Sequence, residues 1–276
     1  MKRMVPILGI AILLSACVQL KEVRDFAAES AKFSDYTELT TRFRDTFERE
    51  LPYLDDENII NEAKTDKGRK QVYPDLLKIH DRVSLYLKTL ATLAGDDRFN
   101  VSKPIGAVEE GINANSNFGI EPKHVNAYAE LGNIVARWLT SAYQQNAVRE
   151  MVREGNEHLQ VSLEGMAGLV RLYKKTYIQE RKIVFGVFDI ELPFHDKPQD
   201  RLLRVLTRAH LQTKEREYKA AEAKYDDAEK GISKISEGHA ALSKDIHNID
   251  TPELKSFIES MAKDIKAVRE HIQAFR

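Results

Sequence analysis

Few side chains in this sequence are placed where they could do chemistry. The only cysteine of the 276 residues is Cys17, at the end of the stretch Leu13-Leu14-Ser15-Ala16. A lone thiol is a candidate nucleophile, metal ligand, half of a disulfide, or attachment point. Glu121-Pro122-Lys123-His124 has the carboxylate-to-imidazole spacing of di-iron helical bundles. Such a site takes two of these pairs and two further Glu residues, and no second pair occurs in the chain. In the first turn of a helix, Glu121 serves instead to complement the helix dipole. Asp189, Glu191, His195 and Asp196 also lie close together, but a mixed set of carboxylate and imidazole on a connection is weak evidence for a metal. His239 falls on a heptad seam. There it is a buried polar residue fixing register, a pH-sensitive point, or an imidazole at the seam edge reaching water or a carboxylate. No phosphate loop, dinucleotide fingerprint, HExxH or GxSxG occurs. The expectation is a protein that is not an enzyme, with no catalytic residue, metal or cofactor.

The beginning of the chain bears on the thiol. Lys2 and Arg3 precede an apolar stretch from Val5 to Leu14, followed by the small residues Ser15 and Ala16, the three parts of an export signal. An apolar run of about ten residues is half the length a helix needs to span a bilayer. Leu14-Ser15-Ala16-Cys17 resembles the lipobox of bacterial lipoproteins. That resemblance implies cleavage after Ala16, acyl chains such as palmitate on Cys17, and, with Val18 rather than Asp next, sorting to the outer membrane on its periplasmic face. One acyl chain binds a membrane only marginally, whereas two or more hold firmly. An acylated Cys17 leaves no thiol for catalysis, metal or disulfide.

Under this reading residues 1–16 are a cleaved signal, 17–22 a lipidated tether, and 23–276 a single domain. Loss of Lys2 and Arg3 takes the formal charge from −1 to −3, 40 basic residues then facing 43 acidic ones. This balance indicates neither a nucleic acid nor an anionic membrane surface as a partner.

Eight Pro and thirteen Gly amid abundant helix formers favour helix throughout, and apolar spacing agrees. Tyr218, Ala221, Tyr225, Ala228, Ile232, Ile235, His239, Leu242, Ile246 and Ile249 recur at steps of three and four, a heptad seam. Pro252 opens a second seam through Leu254, Ile258, Met261, Ile265, Val268, Ile272 and Phe275. So short a turn makes the two antiparallel, with Ile246 near Ile258, Leu242 near Met261 and Ile235 near Val268. The first of these helices is expected to start near Pro198 and run for about 75 Å. Its upstream residues Leu202, Leu203, Val205, Leu206 and Ala209 carry a stripe shifted from the later seam, and are expected to pack on other helices. Further helices are read from Val23 to Glu50, from Val72 to Gly95, and from Pro122 through Tyr177, the last a long rod in which Gly155-Asn156 is either a helix end or a weak point, the continuing phase favouring one kinked rod. "DDENIINEAKTDKG" reads as a polar link. The fold expected is an all-α, elongated antiparallel helical bundle ending in a helical hairpin.

One stretch is out of character. "IVFGVFDIELPFHDKP", from Ile183 to Pro198, is the most apolar segment of the mature chain and contains Gly186 and Pro193, whereas a surface connection is normally polar. Three explanations stand: a plug folded under the bundle end, a docking patch for a protein partner, or a tongue that enters a membrane. Ile183, Val184, Phe185, Val187, Phe188, Ile190, Leu192 and Phe194 are the candidate contacts. The functional expectation is an outer-membrane-anchored periplasmic scaffold or interaction element with an envelope protein as partner. The alternative is a membrane-active protein similar in general plan to the tall helical pore-forming toxins.

Overall fold

The computed structural model describes residues 20–34, 36–95, 111–139, 145–195, 197–249 and 251–274. Cys17 and Ala16 lie outside them. The described chain is all-α, with helices α1 (Lys21–Ser34), α2 (Glu38–Arg44), α3 (Thr46–Glu50), α4 (Asp56–Leu93), α5 (Pro122–Leu139), α6 (Gln145–Glu191), α7 (Arg201–Lys244) and α8 (Pro252–Ala274). Around the bundle the packing order is α1, α4, α5, α6, α7, α8 and back to α1. α2 and α3 continue the path of α1 between α4 and α6.

Cross-helix pairs give the directions. Lys123–Glu164 at 2.7 Å and Arg137–Glu154 at 3.6 Å set α5 against α6 antiparallel. Arg171–Glu229 at 2.9 Å and Lys174–Asp226 at 2.5 Å do the same for α6 and α7. Lys234–Asp264 at 3.9 Å, with the His271–Asp227 pair, confirms the C-terminal hairpin, and its seam residues Ile235, Leu242, Ile246, Ile258, Met261 and Val268 are buried. α4 and α5 run in the same direction. Residues 113–118 run back beside α4, where Asn113 donates to Asp75 through its backbone N–H (3.3 Å) and side-chain amide (3.1 Å) and Phe118 lies against Gly68. Gly119, at φ 78°, makes the left-handed turn into α5.

Three sequence expectations are corrected. The stretch from Val23 to Glu50 is three helices rather than one. The break after α1 is accommodated by α4: the buried His80 donates through Nδ1 to the Ser34 carbonyl at 2.9 Å, and its Nε2 lies 2.9 Å from the Thr40 hydroxyl, which serves a carbonyl that the helix end leaves open. The supposed polar link is the start of α4. Asp55 caps it by accepting the Asn58 N–H at 2.9 Å, and the turns that follow are mostly exposed, so no apolar period marks them. The rod from Pro122 to Tyr177 is the α5–α6 hairpin, its apolar stripes running nearly in phase across the connection.

Gly155 is neither a helix end nor a weak point; it lies inside α6, and a Cβ there would stand 2.2 Å from the Tyr86 hydroxyl. Glycines on α7 let α1 approach equally closely. A Cβ at Gly231 would lie 2.1 Å from Cζ of Phe33, whose side chain is fully buried. Gly231→Ala is therefore expected to destabilise the fold by about 1–2 kcal/mol, overpacking outweighing the gain in helix propensity. Gly186, with nothing within 4 Å of its Cβ position, should respond with the opposite sign, Gly186→Ala adding up to about 1 kcal/mol. Urea denaturation of the two variants checks both; stabilisation by Gly231→Ala would contradict the close α1–α7 packing.

Candidate functional site

The anomalous apolar stretch is not a loop. α6 continues through it to Glu191, followed by a 3-10 turn at Leu192–Phe194 and another at Pro198–Asp200 that leads into α7. Its residues divide by depth. Val184 is buried, and Ile183, Phe185, Val187, Phe188 and Leu192 are half-buried. Phe185 meets Tyr218 edge-on at 5.5 Å, and Phe188 lies 5.7 Å from the rings of both Tyr53 and His210. Ile190 and Phe194 are 65% and 74% exposed. The segment does not fold back as a plug under the bundle.

Tyr53 is where the path from α1 to α3 turns back, its hydroxyl 2.9 Å from Nε2 of His210. Further out, α6 and α7 carry apolar side chains into solvent. Leu202, Leu203, Val205 and Leu206, which the stripe on α7 led one to expect against other helices, are 69%, 47%, 57% and 59% exposed. With Ile190 and Phe194 they supply six of the ten large exposed apolar side chains of the described residues, a clustering at odds with the scattered single exposures of ordinary surfaces. At about 100° per residue, Val205, Ala209, Leu202, Leu206 and Leu203 cover roughly 160° of α7. Thr207 and Leu211, half-buried, face the other way, toward α6. The stripe is amphipathic with its apolar face outward.

The position of this tip matters as much as its composition. Leu20, the first described residue, shares a small depression with Leu242, Ile249, Leu254 and Ile258 at the α7–α8 turn. From Leu242 to Leu202 along α7 is about 60 Å. The tip and the end that leads to Cys17 are therefore at opposite ends of the rod.

A second concentration of polar groups lies inside. Glu180 of α6, with its side chain 1% exposed, accepts from Arg42 Nη2 (3.1 Å), Arg49 Nε (2.8 Å) and the Tyr218 hydroxyl (2.7 Å) on one oxygen, and from Arg49 Nη2 (2.7 Å) on the other. Four helices, α2, α3, α6 and α7, meet at this carboxylate. Burial lowers the pKa of Arg49, but the hydrogen bond and charge of Glu180 outweigh it and the net shift is upward. Nearby Glu50 is 2% exposed. Burial, then the charges of Glu62 and Glu180, push its carboxyl up to about 7 against the pull of Arg69 and Arg49. A proton-active carboxyl needs a space for substrate. A shallow depression of about 220 Å³ lies between Glu38, Leu39, Arg42, Glu217 and Lys224; Glu50 does not line it, and Arg42 there is already engaged with Glu180 and Glu217.

The histidines have structural surroundings. His239 is fully buried rather than at the seam edge. Its Nδ1 donates to the Asn156 side-chain oxygen at 3.0 Å, and its Nε2 lies 3.0 Å from the Tyr86 hydroxyl, tying α4, α6 and α7 together. Burial lowers its pKa to about 3. Glu121 is exposed while His124 is buried, so this pair does not converge. No group of three or more His, Cys, Asp or Glu able to hold a metal occurs among the described residues.

Sequence reasoning found the α6 half of the tip from its apolar run. It missed the α7 half, for which the shifted stripe was the available signal. No family model, curated protein or solved structure matches the chain.

Proposed function

We propose that the protein is a lipid-anchored element of the bacterial cell envelope, fixed through acyl chains on Cys17 to the periplasmic face of the outer membrane. Its rod carries a docking tip to a distance, and its action is positional rather than catalytic. The observation that carries this reading is the exposed apolar tip of α6 and α7, about 60 Å along α7 from the end where the tether enters. Leaving so many large apolar side chains in water gives up burial free energy, about 1.5–3 kcal/mol for each Leu or Phe, which is reasonable where the surface is covered in use. The lipobox resemblance supplies the address, and the tip supplies the working surface.

The membrane-active alternative has one observation in its favour, the narrow and apolar apex. As a spanning tongue it lacks length: among the described residues no helix is long and apolar enough to cross a membrane, and Arg201, Arg204 and Arg208 interrupt α7. The tether arm is tested by membrane fractionation of Cys17→Ala. Loss of the protein from the outer-membrane fraction is expected, and unchanged recovery there would contradict acyl anchoring.

A further inference from the structure

We propose that the α6–α7 tip docks peripherally on an anionic phospholipid bilayer, an inference that rests on the docking-tip reading above and names its partner. Charge complementarity carries it. From Arg201 to Lys214, α7 contains Arg201, Arg204, Arg208 and Lys214 and no acidic residue. Viewed down the helix, Arg208 and Arg201 stand beside the Val205 edge of the apolar stripe, within about 60° of it. Both are exposed. An outward apolar face bordered by arginines is the arrangement by which helices lie in a bilayer interface, apolar side chains among the acyl chains and guanidinium groups at the headgroups. Carboxylates are also present at the tip: Asp189 and Glu191, both exposed, flank Ile190 on the last turn of α6, and Asp200 is half-buried, 3.9 Å from Nδ1 of His195.

Other occupants fit less well. Among the described residues none covers the tip, whose six apolar side chains are 47–74% exposed. Of the described residues next to undescribed stretches of the chain, Leu20 and Ala274 lie elsewhere along the rod. Ala274 follows His271, which pairs with Asp227, leaving it roughly 25 Å short of Leu206 along α7. The apolar surface is convex, wrapping α7 and ending on Phe194, a shape a fluid bilayer accommodates without a preformed groove. Contact would be shallow, consistent with the lack of a long apolar helix among the described residues.

The test uses the full chain with Cys17→Ser, which removes its only thiol, and an environment-sensitive fluorophore on Leu206→Cys or, separately, on the exposed control Lys219→Cys. Each is mixed with phosphatidylcholine vesicles, with and without a third of phosphatidylglycerol. The expected result is a blue shift and brightening at position 206 on the anionic vesicles alone, with none at 219. Association through the apolar leader would leave the 206 probe in water. Arg201→Gln with Arg208→Gln, checked for an unchanged melting temperature, should raise the lipid concentration for half-maximal signal on the order of 25-fold, about fivefold per arginine. No shift at 206, an equal shift on neutral vesicles, or indifference to the arginine substitutions would overturn the proposal. Photo-crosslinking from position 206 in intact cells separates this failure from that of the broader reading. Adducts with protein and none with lipid overturn the bilayer as partner but keep the docking tip; no adduct of either kind overturns both.

Discussion

Replacing Glu180 by Ala is expected to cost roughly 3–5 kcal/mol of folding stability, the range for removing one partner of a buried ion pair. The carboxylate accepts hydrogen bonds from Arg42, Arg49 and Tyr218. Its loss strands two guanidinium groups whose side chains are only 18% and 20% exposed, together with a buried phenol. Arg42 keeps a weaker partner in Glu217 at 3.7 Å, so most of the loss should fall on Arg49. The physical point is the asymmetry between breaking a buried pair and replacing it. Arg49→Met combined with Glu180→Met should recover much of the loss, because no charge is then left without a partner. Urea denaturation with a constant m-value measures both. A loss below about 1 kcal/mol for Glu180→Ala would show that water reaches the cluster and that α2, α3, α6 and α7 are joined by apolar packing alone.

The second large effect is on the dependence of stability on pH, where two buried groups oppose one another. His239 has its folded pKa lowered to about 3 from an ordinary 6.5. Its contribution is therefore complete above pH 6.5 and is lost as pH falls toward 3, at about 1.4 kcal/mol per pH unit. Glu50 has its folded pKa raised to about 7 from 4.5. Its contribution is complete below pH 4.5 and is lost as pH rises to 7. Between pH 4.5 and 6.5 the two slopes have opposite sign and similar size, so the wild-type stability should be nearly flat there. Glu50→Gln should raise stability at pH 8 by roughly 2 kcal/mol, after allowance for solvent screening near the surface. It should also expose the His239 slope as a steady decline from pH 6.5 downward. Chemical denaturation at half-unit intervals of pH checks this. A flat profile for Glu50→Gln between pH 6.5 and 4.5 would mean that His239 takes up its proton without opening the fold.

How much of this was legible in the sequence follows from what periodicity can and cannot encode. The C-terminal hairpin was readable because two seams of regular three-and-four spacing meet at Pro252, leaving a single register. The continuity between α5 and α6 was misread because two stripes almost in phase look like one helix, and the reversal falls between them. α1 to α3 were read as one helix because the break depends on His80 of α4, more than forty residues away, reaching the Ser34 carbonyl. A local pattern cannot show a distant cap. Gly155 shows the same limitation: its role is to admit the Tyr86 ring, and a glycine that makes room for a neighbour looks like one that ends a helix. The Glu180 cluster left no sequence signal, since Arg42, Arg49 and Glu180 resemble any other charged residues until the helices bring them together.

The tip is the most instructive case. Ile190 and Phe194 drew attention because an apolar connection between helices is unusual. Leu202, Leu203, Val205 and Leu206 were assigned to the interior because an apolar stripe on a helix has the same spacing whether a neighbouring helix covers it or nothing does. Only the position of Tyr53, where the bundle narrows to α6 and α7, separates the two.

Photo-crosslinking in intact cells tests the central claim most directly, with a benzophenone amino acid placed at Leu206 or at the exposed Lys219, midway along α7. The expected result is discrete adducts from position 206 that disappear when Leu202→Asp and Phe194→Asp are added, with none from position 219. Absence of adducts from 206, or the same adducts from both positions, would contradict the assignment of the α6–α7 tip as the working surface of the rod.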